Sequence, residues 1–204
     1  MTSDNKCVTI ICEGKTELYF VKNVLAPYFY NLYEIQLLPN DLNGRVTVDK
    51  VVKYIKRAKT KVITSLIDYY GFINPNELTV EELTKEIKEH FETNSVIPYI
   101  QMHEIEALWF SNIDKIIEKM NADKKQTEEL NRIVNKYSNP EEINNSKETA
   151  PSKRLEKIFL GYDKIIDGLN IAKEIDMNTF MAKCPRFSAW INDVITCVNE
   201  CYKD

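Results

Sequence analysis

Two kinds of hydrophobic period alternate along the first hundred residues, and this alternation constrains the fold more than any other feature. Short apolar runs of strand length are separated by segments whose apolar residues recur every three or four positions, as on one face of a helix. The predicted strands are Cys7–Cys12, Tyr33–Leu38, Lys61–Ile67 and Val96–Ile100. Strands that alternate with helices of about 10–15 residues indicate an α/β fold with a mainly parallel four-stranded sheet flanked by helices.

Local signals refine this pattern at three places. Val48, Val51, Val52 and Ile55 form a helical stripe. Thr79 followed by Glu82 matches a capping box, which predicts a helix start. Pro98 lies within the fourth apolar run and, because proline cannot donate to a β-ladder, it predicts an edge or irregular position there.

The strand signal disappears after about residue 103, and the remaining apolar patterns are helical. We therefore expect an α/β core at residues 1–110 and an all-helical C-terminal subdomain at 111–204, packed on the core or forming one compact domain with it. Asn139–Ala150 is polar and rich in turn-forming residues, which predicts an exposed loop.

Net charge, cysteine spacing and the length of the first apolar run limit the kinds of protein that this chain can be. Twenty-seven basic and 31 acidic residues leave a formal charge of −4, so nucleic-acid binding would need a local basic patch. The five cysteines show no zinc-finger spacing, and their scattered, odd number is typical of a reducing compartment. The apolar run near the N-terminus is too short for a signal peptide or a membrane span. We expect a cytoplasmic protein without membrane contact.

Carboxylates follow three of the four predicted strands. Glu13 and Glu17 come after the first strand, Asp68 after the third, and Glu104 and Glu106 after the fourth. In a parallel sheet the carboxyl ends of the strands form the ligand-binding edge. Clustered carboxylate oxygens suit a hard cation, so the sequence predicts Mg²⁺ or Mn²⁺ at this edge.

Each carboxylate also has a purely structural interpretation. Glu13 or Glu17 could be a first-turn anion that the helix dipole favours, and Asp68 could start a turn. Glu104 and Glu106 would point apart on a helix, and only an extended segment would aim them alike. We favour Glu104 as the site residue, with Glu106 as the second candidate, and expect His103 to be a capping or hydrogen-bonded residue.

Two basic segments are candidates for phosphate contact. The first gathers six positive charges on and just past one helix: Lys50, Lys53, Lys56, Arg57, Lys59 and Lys61. It is either a solvated face or a nucleic-acid contact, for which Lys53, Lys56 and Arg57 are the candidates. The second, Lys153-Arg154, opens a predicted helix, where cations oppose the helix dipole, so a functional use is more plausible. Lys15 is a further candidate, although the single Gly14 cannot build a nucleotide-binding loop.

Several motifs together resemble a Toprim-like family of uncharacterised bacterial proteins. They are Ile10–Glu17 (IICEGKTE), Asp68–Gly71 (DYYG), Pro98–Glu104 (PYIQMHE) with Glu106–Leu108, Glu148–Arg154 (ETAPSKR), Gly161–Lys164 (GYDK) and Cys184–Phe187 (CPRF). The resemblance covers nearly the whole chain. It implies a Toprim-type fold that holds Mg²⁺, and the spacing of Glu13 and Glu17 is similar to that in overcoming-lysogenization-defect nucleases and related phage-defence effectors.

The resemblance further implies an ATPase partner encoded nearby, and a homodimer is a related expectation. One position departs from the pattern, because Tyr70 stands where a standard Toprim motif has its second aspartate. A phenol has a pKa of about 10 and is not a routine Mg²⁺ ligand at neutral pH. Either Glu104 or Glu106 supplies the missing oxygen, or metal binding is weakened, or catalysis is lost.

Three functions remain open from the sequence. The first is a metal-dependent nuclease acting on DNA or RNA, with Glu13, Glu17, Asp68 and Glu104 at the metal and Lys153 or Arg154 offsetting charge on the phosphate. The second is a catalytically weak or inactive binding or regulatory module, as Tyr70 suggests. The third is another phosphoryl-transfer enzyme on the same scaffold, because fold does not fix the reaction.

Overall fold

The structure is a computed structural model that describes residues 5–73, 78–144 and 146–203. The chain divides into two compact units, one formed by residues 1–101 and 189–204 and the other by residues 102–188. Compact units need not fold independently, so the expected domain boundary after residue 110 stays a prediction.

The first unit is built on a parallel sheet. Its strands are β1 (Cys7–Cys12), β2 (Gln36–Asp41), β3 (Val62–Asp68), β4 (Val96–Ile97) and β5 (Ile100–Gln101). The strand order is β2-β1-β3-β4, with β5 also pairing with β3, and every pair is parallel. All seven residues of β3 are buried. The prediction of a mainly parallel α/β sheet is confirmed.

Strand β2 lies at an edge of the sheet and runs through Pro39, whereas the sequence predicted that it would stop there. The amide of Gln36 donates to the Lys6 carbonyl at 2.8 Å, and that of Leu42 donates to the Cys12 carbonyl at 2.9 Å. Amide direction alternates along a strand, so the even-numbered amides face β1 and position 39 faces outward. Proline is tolerated there because no ladder hydrogen bond is lost.

Pro98 interrupts the fourth predicted strand and divides it into β4 and β5, as its missing amide hydrogen predicts. The side chain of Ser65 bridges the interruption. Its hydroxyl donates to the Tyr99 carbonyl and accepts from the Tyr99 amide, both at 3.0 Å. A buried side chain therefore satisfies the backbone groups that regular pairing would otherwise satisfy.

The helices of the first unit follow the predicted stripes. They are α1 (Lys15–Phe20), a π-helical turn (Val21–Leu25), α2 (Ala26–Tyr33), α3 (Val48–Ile55), α4 (Val80–Glu89) and the end of α10 (Pro185–Cys201). The capping box at α4 is confirmed, since the Glu82 amide donates to Thr79 Oγ1 at 3.2 Å and Glu82 Oε2 accepts from the Thr79 amide at 2.7 Å. Trp190 of α10 stacks on Tyr99 and donates to Thr64 Oγ1 of β3 at 2.7 Å.

The second unit has only helical secondary structure among its described residues, which confirms the predicted helical C-terminal part. Its α-helices are α5 (Ile113–Met120), α6 (Lys124–Val134), α7 (Pro151–Ile158), α8 (Ile166–Ala172), α9 (Met177–Lys183) and the start of α10. Short 3₁₀ segments are Ile105–Asn112, Pro140–Glu142 and Lys147–Thr149. Trp109, Phe180 and Phe187 pack edge to face or tilted in its core.

The expectation of an exposed loop at Asn139–Ala150 is wrong for most of its described residues. Glu141 is only 1% exposed, and Pro140 and Ile143 are also buried. The Glu141 carboxylate accepts hydrogen bonds from the amides of Arg186 at 2.8 Å and Phe187 at 3.1 Å, in the first turn of α10. A polar sequence is buried here because the helix start supplies donors and a favourable dipole for its carboxylate.

Among the described residues, no helix is both long and apolar enough to cross a lipid bilayer.

Candidate functional site

Glu13 and Asp68 meet at the carboxyl end of the sheet in the first unit. Strands β1 and β3 are parallel neighbours, with Cys12 opposite Leu66. The Glu13 amide continues this pairing by donating to the Leu66 carbonyl at 3.2 Å. The amide of Asp68, in turn, donates to Glu13 Oε2 at 3.0 Å. Two acidic residues that follow different strands, and that the sequence predicted at one edge of the sheet, therefore lie side by side.

Gly71 makes room for the Glu13 carboxylate. It ends the 3₁₀ turn Tyr69–Gly71 that follows β3. A Cβ atom placed on Gly71 would lie 2.0 Å from Glu13 Oε2 and 2.5 Å from Oε1, far inside van der Waals contact. Only glycine at position 71 leaves the carboxylate where it is.

Glu17 is buried and helps to start helix α1. It is 4% exposed, and its Oε2 accepts a hydrogen bond from the Gly14 amide at 2.9 Å. Glu17 thus lies in the first turn of α1, as its structural interpretation expects, but it is buried. Its carboxylate satisfies one of the amides that every helix start leaves without an intrahelical partner.

Asp41 is a carboxylate at the same edge that the sequence analysis missed. It ends β2, opposite Cys12 of β1, and its Oδ1 accepts from the Asn43 amide at 2.6 Å. The pKa of the buried Cys12 thiol is raised, first by burial and then by the charges of Glu17 and Asp41. Both carboxylates thus act on the end of β1. The signal was present in the sequence, but ending the strand at Pro39 hid it.

The carboxylate set suits a hard divalent cation that keeps part of its water. Within residues 5–73, 78–144 and 146–203, no group of three or more His, Cys, Asp or Glu side chains could hold a metal ion, so any site here would have fewer protein ligands. Mg²⁺ is commonly held by one or two carboxylates, with waters and substrate phosphate oxygens completing its shell. The adjacent Glu13 and Asp68 fit that requirement.

Tyr70 lies half-buried in the turn after β3. Its ring is 5.8 Å from that of Tyr69, whose hydroxyl donates to the Leu78 carbonyl at 2.9 Å. The two tyrosines therefore help to shape the segment that carries Asp68 and Gly71. The effect of Tyr70 on metal binding stays a prediction.

The second unit contains a charged cluster formed by Glu104, Glu106 and Lys164. Lys164 Nζ lies 3.1 Å from Glu104 Oε1 and 3.6 Å from Glu106 Oε1. Glu104 has extended backbone angles, and this is the conformation that lets residues i and i+2 reach one partner. Glu104 Oε2 also accepts from the Ser152 amide, in the first turn of α7, at 3.0 Å. The role of Glu104 or Glu106 in metal binding stays a prediction.

His103 precedes this cluster with a left-handed backbone, at φ +67°. Burial lowers the pKa of its imidazole, and the nearby Glu104 opposes that shift.

The ion pairs of Lys164 with Glu104 and Glu106 were not predicted from the sequence, because they depend on a contact between segments that are distant in sequence.

Lys153 and Arg154 have different surroundings. Lys153 forms an ion pair with Glu156 of the same helix at 2.6 Å, and both side chains are substantially exposed. The Arg154 guanidinium instead donates to the Thr149 carbonyl at 2.8 Å and to the Tyr137 hydroxyl at 3.0 Å. Arg154 therefore has a structural role, and phosphate contact by either residue stays a prediction.

The basic segment on and after α3 is mostly solvent-exposed. Exposed members are Lys53, Lys56, Arg57, Lys59 and Lys61, and Lys15 on α1 is exposed as well. Lys50 differs, because its Nζ donates to the carbonyls of Gly44 at 2.6 Å and Arg45 at 3.0 Å. Lys50 thus binds a neighbouring loop, and Lys61 Nζ lies 4.6 Å from the centre of the Tyr202 ring. The exposed Lys53, Lys56, Arg57 and Lys59 are available to a ligand.

Comparison with known proteins places the chain in context. A family model described as a domain of unknown function, DUF4276, matches residues 12–195. No curated protein matches the chain.

Solved structures of OLD protein C-terminal regions share its fold. The one from Burkholderia pseudomallei has a TM-score of 0.55 at 14% identity, covering 96% of this chain and 98% of that one. The one from Xanthomonas campestris pv. campestris, phased with platinum, has a TM-score of 0.53 at 15% identity, covering 97% and 94%. At such identities the likeness is one of fold.

Proposed function

The chain belongs to the DUF4276 family of domains of unknown function, and we propose that it is a Mg²⁺- or Mn²⁺-dependent nuclease that cleaves DNA or RNA phosphodiesters. The similarity to OLD protein C-terminal regions supports the fold on which these residues are placed. We further propose a role as a phage-defence effector and an ATPase partner, both of which rest on the motif resemblance. A homodimer is also part of the proposal.

The observation that carries the proposal is the pairing of Glu13 and Asp68. Their strands are neighbours, the Asp68 amide donates to Glu13 Oε2, and Gly71 leaves space for that carboxylate. Ligand sites of open parallel sheets lie at this edge. Two adjacent acidic residues repel each other unless a cation compensates, so their juxtaposition favours a cation site.

Different residues of the chain would bind the cation and attract the nucleic acid. Glu13 and Asp68 would hold the cation, while Glu17 and Asp41 would add negative charge that strengthens its attraction. A divalent cation bound there would activate water and stabilise the charge that develops on the phosphate. The exposed Lys53, Lys56 and Arg57 would attract the polyanion, as clustered basic side chains do.

Cleavage assays test the proposal directly. The full chain is incubated with plasmid, single-stranded DNA and tRNA in Mg²⁺, Mn²⁺ or EDTA, with and without a candidate ATPase partner. We expect metal-dependent cleavage of at least one substrate, with loss of cleavage in Glu13→Gln and Asp68→Asn. Glu86→Gln, an exposed glutamate on α4, is the matched control and should cleave as the parent does. Intact substrates under all conditions, or full activity of Glu13→Gln, would reject the nuclease.

A non-catalytic binding or regulatory module is the second candidate, and two observations favour it. Tyr70 replaces a carboxylate that the Toprim pattern requires. In addition, Glu13 and Glu17 both accept hydrogen bonds from backbone amides, which is the behaviour of structural carboxylates. Such a module would bind nucleic acid equally well in EDTA and would cleave none of the substrates.

A further inference from the structure

The loop that follows β2 has an unusual backbone. Asn43, Gly44 and Arg45 are successive residues with positive φ, at +57°, +69° and +43°. Glycine adopts this left-handed conformation without a steric penalty and asparagine tolerates it, but arginine does not favour it. A residue that the backbone disfavours has therefore been placed at position 45.

Hydrogen bonds fix this loop to the residues that build the carboxylate site. The Gly44 amide donates to the Glu13 carbonyl at 2.8 Å, and the Val46 amide donates to the Gly71 carbonyl at 3.1 Å. The ammonium group of Lys50 holds the loop from the other side through the carbonyls of Gly44 and Arg45. Position 45 is thus held beside Glu13 and Gly71.

No contact of the Arg45 side chain in the described part of the chain explains why arginine stands at this position. The residue is exposed, and no other residue in the described part of the chain forms a hydrogen bond or ion pair with its guanidinium. Strained backbone conformations cluster at functional sites, where the strained residue takes part in binding or catalysis. A guanidinium presents a planar set of donors that matches the oxygens of a phosphate group.

We propose that Arg45 contacts a backbone phosphate of the nucleic acid that reaches the Glu13 and Asp68 carboxylates. The assignment deepens the proposed nuclease and rests on its nucleic-acid substrate. Arg45 is a binding residue in this account, and its guanidinium fixes where the strand lies relative to the carboxylates. Lys50 is the residue that positions it.

Replacing Arg45 by glycine distinguishes the effect of the guanidinium from the effect of the left-handed backbone. Arg45→Gly suits the left-handed conformation, so it removes the guanidinium without disturbing the loop. Asn43→Gly makes the same backbone change two residues away without altering charge. Lys125→Ala removes one exposed positive charge from α6 and serves as the charge control. Circular dichroism confirms that each full-length variant is folded.

Binding is measured by fluorescence anisotropy with a labelled single-stranded oligonucleotide, once as DNA and once as RNA, in EDTA over a range of salt concentrations. We expect Arg45→Gly to reduce the slope of log affinity against log salt by about 0.7, as the loss of one phosphate contact to a single strand does, while both controls keep the parent slope. Arg45→Lys should restore most of the slope because it restores the charge.

An unchanged slope in Arg45→Gly, an equal loss in either control, or a parent chain that binds neither oligonucleotide would overturn the assignment. Cleavage is assayed separately, so the two proposals fail independently. A parent that cleaves while Arg45→Gly keeps its slope remains a nuclease without this contact. A parent that never cleaves but loses slope in Arg45→Gly supports the contact and rejects the nuclease.

Discussion

Gly71 lies so close to the Glu13 carboxylate that a Cβ atom at position 71 would be 2.0 Å from Glu13 Oε2. The backbone of the turn after β3 therefore sets the position of a side chain carried by β1. This relationship joins the two strands whose carboxylates form the candidate cation site.

Gly71→Ala should displace the Glu13 carboxylate while leaving the fold intact. The atoms it would strike belong to the end of a flexible side chain, so unfolding free energy should change by no more than about 1 kcal/mol. Affinity for Mn²⁺ should fall by about 10–100-fold, as it does when the surroundings of a metal ligand are disturbed. Calorimetric titration and urea denaturation measure the two effects.

Gly14→Ala is the matched control for that substitution. A Cβ atom there would lie 3.7 Å from Glu17 Oε2, an ordinary contact, so Mn²⁺ affinity should stay at the parent value. Equal loss of affinity in both variants, or none in Gly71→Ala, would show that the space at Gly71 does not position a ligand.

Two lysine–glutamate contacts in the second unit should differ in their contribution to stability. Lys164 compensates Glu104 and the almost fully buried Glu106, whereas Lys153 pairs with Glu156 on the surface. Lys164→Met should lower the free energy of unfolding by about 1–3 kcal/mol, because it removes the positive charge beside the Glu104 and Glu106 carboxylates. The partial exposure of Lys164 keeps the loss within this range. Lys153→Met should change it by less than about 0.5 kcal/mol. Urea denaturation at pH 7 compares them, and equal losses would contradict this account.

The cysteines should separate into protected and reactive groups. Burial, with a smaller effect of the neighbouring Cys201, raises the pKa of the Cys197 thiol to about 12, and burial also raises that of Cys12. Only thiolates alkylate readily, so iodoacetamide at pH 8 should modify the partly exposed Cys7 and Cys201 and spare Cys12, Cys184 and Cys197. Mass spectrometry of the native chain reports this, with a urea-unfolded sample as control. Rapid native modification of Cys12 would contradict the packing at the end of β1.

Stability should also depend on pH through Cys184. Burial, aided by the charge of Glu141, raises the pKa of its thiol above the ordinary value of 9.0. The unfolded chain then ionises first, so the stabilising contribution is complete below pH 9.0 and decreases as pH rises further. Cys184→Ala should reduce this alkaline loss of stability, as denaturation curves between pH 7 and pH 10.5 would show. An unchanged loss would assign it to other groups.

Local pattern predicted much of the first unit and part of the site. The apolar runs located β1 and β3, and the rule that parallel strands end at one edge then brought Glu13 and Asp68 together. Asp41 was missed because Pro39 suggests a strand end, and only the direction of the edge amides shows why proline is tolerated. Lys164 and Glu141 were beyond local pattern, because a buried charge depends on partners from distant segments.

The measurement that tests the central claim most directly is calorimetric titration of the full chain with Mn²⁺, comparing the parent, Glu13→Gln and Glu86→Gln. We expect the parent and Glu86→Gln to bind Mn²⁺ and Glu13→Gln to bind it about 100-fold or more weakly. Losing a ligand should cost more affinity than the 10–100-fold effects of residues that only support the ligands. Binding of equal affinity in Glu13→Gln, or no Mn²⁺ binding by the parent, would contradict a cation site at the ends of β1 and β3.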